Sequence, residues 1–305
     1  MTRWTAFAGL TGVVLLLLLG LARLSAAQFS PAAGPGARAD GEEAVRGPED
    51  ASPAAPSPYH PARDADPTLS TPERSPVAAA EAEARAGGTG AMSPGALLAN
   101  VALSQGLFGA MLVAAAAWAG IPAAALGLVP LATATDLALG AGLGAALWLA
   151  SEAAGRVAER VGIEVNEALR GALAPATPAG WAVLLLAVLP TVALFEEFLF
   201  RAVLVGAFAA GFDAPAWLPA AVAGVDPWPW LLAAGSSLAF ALGHGAQGRA
   251  GIVATGALGF VLAGAFVLTG SFLVVAVAHY LVNALTFVVH EFDPAALGAR
   301  GGAGR

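Results

Sequence analysis

Apolar and polar positions are not interleaved along this chain; they fall in long blocks. Residues 5–22 are apolar and lie between Arg3 and Arg23. Residues 28–92 are rich in Pro, Ala, Gly, Asp, Glu and Arg and almost free of bulky apolar side chains. From residue 93 apolar runs follow one another at 95–119, 131–153, 180–211, 228–245, 251–269 and 271–290. About 20 apolar residues are needed for a helix to cross about 30 Å of hydrocarbon. The runs therefore predict membrane-spanning helices. Strand alternation is absent, and an open sheet edge is forbidden in lipid because its backbone groups have no partners there. The expected fold is all-α: a polytopic transmembrane bundle of about six core helices, preceded by an N-terminal anchor and a disordered tether.

The boundaries follow from the same pattern. Residues 1–27 read as a membrane anchor or signal, and Ser25-Ala26-Ala27 offers the small residues of a cleavage site. The block 28–92 buries too little to offset its ordering entropy and reads as a tether. Residues 93–292 form the membrane domain and 293–305 a flexible tail. Many Gly and Ala residues let its helices approach closely.

Composition sharpens this picture. The chain is 58% hydrophobic and 11% charged, against about 25% charged in soluble domains. It has no cysteine and no lysine. Disulfides, thiolate nucleophiles and Cys-based metal sites are excluded. A net charge of −7 argues against nucleic acid as a partner. The arginines set an orientation. With residue 93 on the cytoplasmic side, Arg156, Arg160, Arg170, Arg249, Arg300 and Arg305 all fall inside, as the positive-inside bias requires. Residues 28–92 then lie inside as well, whereas a cleaved signal peptide would put them outside.

Ionisable residues within membrane spans are costly, so each calls for a reason. Glu196-Glu197-Phe198-Leu199-Phe200-Arg201 interrupts an otherwise apolar run. Glu197 and Arg201 are four apart and share a helix face, which suits a structural pair. Glu196 is turned about 100° away and is left for another task. His244 lies near the end of its span; alone it reads as an interfacial histidine. His279 and Asn283 are four apart on one face of the last span. One interhelical hydrogen bond accounts for either, but not readily for both. His60 and His290 receive no role. Together these residues make a hydrolytic set without a nucleophilic side chain. A carboxylate activates water as general base, and a histidine and an amide donate to the developing oxyanion.

The ordered motifs Glu-Glu-x-x-x-Arg, Phe-x-x-x-His and His-x-x-x-Asn stand here as Glu196 to Arg201, Phe240 to His244 and His279 to Asn283. They resemble the CAAX protease and bacteriocin-processing family of intramembrane endopeptidases over roughly residues 95–290. The resemblance implies an endopeptidase of the cell membrane acting on a protein or peptide substrate in or near the bilayer. It implies Glu196 as general base, His244 as a water ligand, and His279 and Asn283 as the oxyanion hole. Glu197 and Arg201 would brace the helix. It implies no cofactor and no metal, and the chain carries no His-Glu-x-x-His zinc motif. Two other readings use the same residues: a non-catalytic scaffold or immunity-type protein, and a proton-relaying transporter. The His279–Asn283 pair and the lack of a visible inverted repeat weigh against the transporter.

Depth gives one further expectation. A continuous helix over 180–211 would put Glu196 about 24 Å from its start, too deep to meet His244. A break or re-entrant turn at Pro190 would leave it about 9 Å in. The sequence thus predicts an interruption near Pro190.

Overall fold

The computed structural model describes residues 2–29, 94–128, 133–162 and 168–292. The tether expected over 28–92 lies outside the described residues but for 28 and 29, and the tail 293–305 lies wholly outside them. Eight helices carry the described chain: α1 (Trp4–Phe29), α2 (Pro94–Ala119), α3 (Ala134–Arg160), the short α4 (Ala168–Leu173), α5 (Pro178–Gly211), α6 (Trp228–Gly243), α7 (Gly248–Thr269) and α8 (Phe272–Glu291). Among the described residues there is no strand, only one isolated bridge between Val222 and Val225. Six of the helices are long and apolar enough to cross a membrane; α6, with 16 residues, is shorter. The protein is a multi-pass, all-helical membrane protein.

Local chemistry sets the helix ends. Thr133 and Thr177 accept hydrogen bonds from the backbone of Asp136 and Gly180 and so cap α3 and α5. Pro178 follows its cap in the first turn, where a missing N–H costs nothing. Gly270, at φ +62°, closes α7 in the left-handed region that glycine adopts without strain.

Antiparallel and parallel neighbours define two ends of the bundle. At one end the backbone N–H of Arg3 donates to Ala119, Phe272 donates to Gly127, and the Trp228 indole donates to the Phe212 carbonyl. At the other end Arg170 pairs with Glu291 at 2.7 Å and His290 with Glu152 at 2.7 Å. Arg156, Arg160, Arg170 and Arg249 all belong to this arginine-bearing end. Arg156 and Arg160 lie on α3, which runs seven residues past the expected limit of 153. His290, left without a role above, ties α8 to α3.

The close packing rests on small residues. A Cβ on Gly140 would stand 2.8 Å from the Val274 carbonyl, and one on Gly144 2.8 Å from that of Ala278. These two glycines let α3 lie directly on the α8 backbone, where dispersion contacts drive association.

The expected interruption at Pro190 is not there. Backbone angles stay helical through Val188 and Leu189, and the helix runs on from Pro178 to Gly211. Two π-helical stretches, Leu184–Val188 and Phe198–Ala207, replace the break. Proline removes one ladder bond and crowds the carbonyl four residues earlier. The wider π turn just before Pro190 shifts the hydrogen-bond register and absorbs both defects without ending the helix. Glu196 and Glu197 sit between the two stretches.

Candidate active site

The second π stretch begins directly after Glu197 and holds Arg201. Arg201 Nη1 donates to Glu197 Oε1 at 2.7 Å across one turn of α5. The side chains are 1% and 0% exposed, so the pair is wholly withdrawn from solvent. A charge so placed persists only when paired and hydrogen-bonded. Arg201 meets that requirement twice over. Its Nη2 donates to the Gly259 carbonyl of α7 at 2.9 Å, and its guanidinium lies 4.7 Å from the Phe240 ring centre.

Histidine 279 of α8 stands between the two carboxylates. Its Nδ1 is 2.6 Å from Glu197 Oε1, and its Nε2 is 3.6 Å from Glu196 Oε2. Glu197 is therefore more than a helix brace. One of its oxygens holds both Arg201 and His279, joining α5 to α8 and fixing the imidazole orientation. Because that oxygen is an acceptor, Nδ1 carries the hydrogen and Nε2 is turned towards Glu196. Glu196 is 12% exposed at its side chain, so it is the carboxylate of the pair that solvent can reach. The 3.6 Å gap exceeds a hydrogen bond.

Phe240 of α6 fills the space beside this cluster. Its ring is 6.0 Å from that of His279, edge to face, 4.5 Å from that of His244, and 5.0 Å from that of Phe200. His244 ends α6. Its Nδ1 lies 2.8 Å from the Phe240 carbonyl one turn back, which makes Nδ1 the donor and leaves Nε2 as a lone-pair acceptor. No hydrogen bond links His244 to Glu196; Phe240 stands as the intermediary. Asn283 is partly buried, and its amide makes no hydrogen bond among the described residues.

Helices α6 and α8 both run towards the arginine-bearing end. Phe240 and His279 thus share one level, and His244 and Asn283 lie one turn, about 5–6 Å, nearer that end. The six residues singled out in the sequence form two layers: an inner one of Glu196, Glu197, Arg201 and His279, and an outer one of His244 and Asn283. The outer pair is related to the inner layer by helical register, not by direct bonds.

Two participants were not legible as chemistry. The Gly259 carbonyl holds Arg201, and a Cβ there would stand 2.9 Å from the Phe240 ring and 3.3 Å from Arg201. Any residue supplies a carbonyl, so nothing in the sequence flags this one. Phe240 was visible as a motif letter, but its stacking on Arg201 was not. Among the described residues no three His, Asp or Glu side chains are grouped to hold a metal ion.

Comparison with curated proteins and with solved structures finds no significant match. Residues 178–285 match the model of a family described as type II CAAX prenyl endopeptidase Rce1-like. That segment contains every one of the six residues above, and over it the chain is similar to CAAX-type intramembrane endopeptidases.

Proposed function

We propose that this protein is a glutamic-type endopeptidase of the cell membrane, cutting a peptide presented from the cytoplasmic side, with Glu196 as the base that activates water. The observation that carries this is the placement of Glu196. It is the more exposed of two adjacent carboxylates, and it faces a histidine whose other nitrogen is already committed. The cluster holds two carboxylates against one guanidinium. Hydrolysis through this cluster needs one proton held on the Glu196–His279 pair.

With that proton on His279, Nε2–H is a donor and Glu196 is an ionised base. Glu196 takes a proton from water as the oxygen adds to the scissile carbonyl carbon. The carbonyl oxygen becomes an oxyanion, stabilised by His279 Nε2–H and by the Asn283 amide. The C–N bond then breaks, and protonated Glu196 returns its proton to the leaving amine. The products are a carboxylic acid, which ionises, and an amine. His244, one turn nearer the arginine-bearing end, offers an acceptor to water entering the mouth of the site, short of the Glu196 carboxylate. The arginine-bearing end faces the cytoplasm by the positive-inside bias, so substrate enters past His244 and Asn283.

The donor set favours a metal-free step. Glu197 Oε1 already receives Arg201 and His279, and a cation beside the buried Arg201 guanidinium would be repelled. The test is proteolysis in liposomes, with a peptide library read by mass spectrometry. Wild type should cut with and without chelator. Glu196→Gln should lose at least about a thousandfold in rate, the scale of removing a base that acts at the reacting atom. Cutting that a chelator abolishes would replace this mechanism with a metal-assisted one. Undiminished cutting by Glu196→Gln would remove Glu196 from the chemistry. A wild type inert towards every peptide would favour the scaffold reading.

A further inference from the structure

Helix α1 lies outside the matched segment, and the sequence leaves it between an anchor and a cleavable signal. Its packing decides the matter. Phe7 and Thr11 are fully buried and Val14 is 4% exposed; the spacing of these three puts them on one face of the helix. The opposite face is open to lipid, with Leu16 72% exposed. Phe7 and Val14 belong to the same apolar cluster as Leu199, Phe200, Val203 and Phe240. The start of α1 is fastened as well. Arg3 donates through its backbone to Ala119 at 2.8 Å and through Nη1 to Trp118 at 3.3 Å, and its guanidinium sits 4.6 Å from the Trp118 ring centre. Trp4 lies on Gly211, where no Cβ would fit. Along its length α1 packs on α2, on α6 and on the turn Gly245–Gln247 that follows His244.

A signal peptide is expected to leave its protein without opening the core. Cutting after residue 27 would instead strip Phe7 and Val14 from the cluster that contains Phe240, and the buried Thr11 with them. We propose that α1 is retained as a permanent transmembrane helix and that its buried face positions Phe240, and through it His244, with Val14, which lies near the level of Phe240 in the same cluster, as a positioning residue. The second half rests on the reading of the site given above; the first half does not.

The absence of cysteine from the chain allows a clean test in native membranes. A Trp4→Cys/Gly211→Cys pair is introduced into the full chain, with a protease site in the 30–92 segment and epitopes at both ends. Oxidation followed by protease should leave the two fragments joined, and the N-terminal fragment should have its full mass. An N-terminal fragment missing from the membranes would overturn retention. For positioning, an otherwise cysteine-free Ala246→Cys chain is labelled with maleimide. Adding Val14→Ala should raise the labelling rate severalfold, and adding Leu16→Ala should not. On peptide substrate, Val14→Ala should lower kcat about tenfold with KM within twofold, and Leu16→Ala should change neither. Equal labelling in both variants would overturn the positioning role. Inert wild type with unequal labelling would count against the proteolytic reading alone and leave the role of α1 in place.

Discussion

Two sets of ion pairs hold this bundle, and they differ in little but their surroundings. Arg170–Glu291 and His290–Glu152 join helices at the arginine-bearing end, with side chains 17–34% exposed. Glu197–Arg201, within α5, and Glu197–His279, between α5 and α8, lie in the interior, with side chains 0–5% exposed. All four contacts are 2.6–2.7 Å long. Distance therefore does not rank them. Water and salt compete with the outer pairs, and exposed pairs contribute about 0–1 kcal/mol. The inner set has no such competitor. Its partners hold each other in place, and losing one strands another in a dry site. The same chemistry is a staple in one region and a committed framework in the other.

The sharpest way to break this comparison is Arg201→Ala. It leaves the Glu197 carboxylate buried against His279 alone, and removing one partner of a buried pair costs about 3–5 kcal/mol. Thermal unfolding in detergent should fall markedly and proteolysis should vanish. A variant with unchanged stability would mean that the interior pair is as dispensable as the outer ones. A smaller effect is expected from Gly259→Ala. The added methyl presses on Phe240 and Arg201, and overpacking of this kind costs about 1–3 kcal/mol. Its activity should drop more than its stability, because Phe240 touches both histidines. Equal losses would reduce Gly259 to a plain packing position. The smallest effect belongs to Glu152→Gln. It removes the outer contact to His290 and should cost under about 1 kcal/mol. Salt near 1 M, where screening acts within about 3 Å, should abolish even that difference while leaving Arg201→Ala as damaging as before.

The legibility of the site in the sequence follows the same division. Glu196, Glu197, Arg201, His279 and Asn283 stood out because charge and amide groups are rare against Leu, Val, Ala and Phe. The spans stood out for the same reason. What escaped was register. Pro190 is a helix breaker by its own chemistry, yet the π turn before it depends on how α5 packs and leaves no mark in the local residues. The orientation of His279 was equally hidden. Spacing joined Glu197 to Arg201, but only the approach of α8 to α5 made Glu197 the partner of His279 as well. The end of one helix also differed from the apolar run: α3 continues through the exposed Arg156 and Arg160, because a helix carries charged residues freely once it has left the hydrocarbon.

Helix α6 is only 16 residues long, about 24 Å at 1.5 Å per residue. The hydrocarbon around it is about 30 Å thick. Such hydrophobic mismatch is met by a local thinning of the bilayer or by water drawn in over the short end. One of the two ends of α6 carries His244. Mismatch met at that end would bring the lipid surface and water towards His244, and the thickness of the host membrane would then bear on the hydrolysis proposed above.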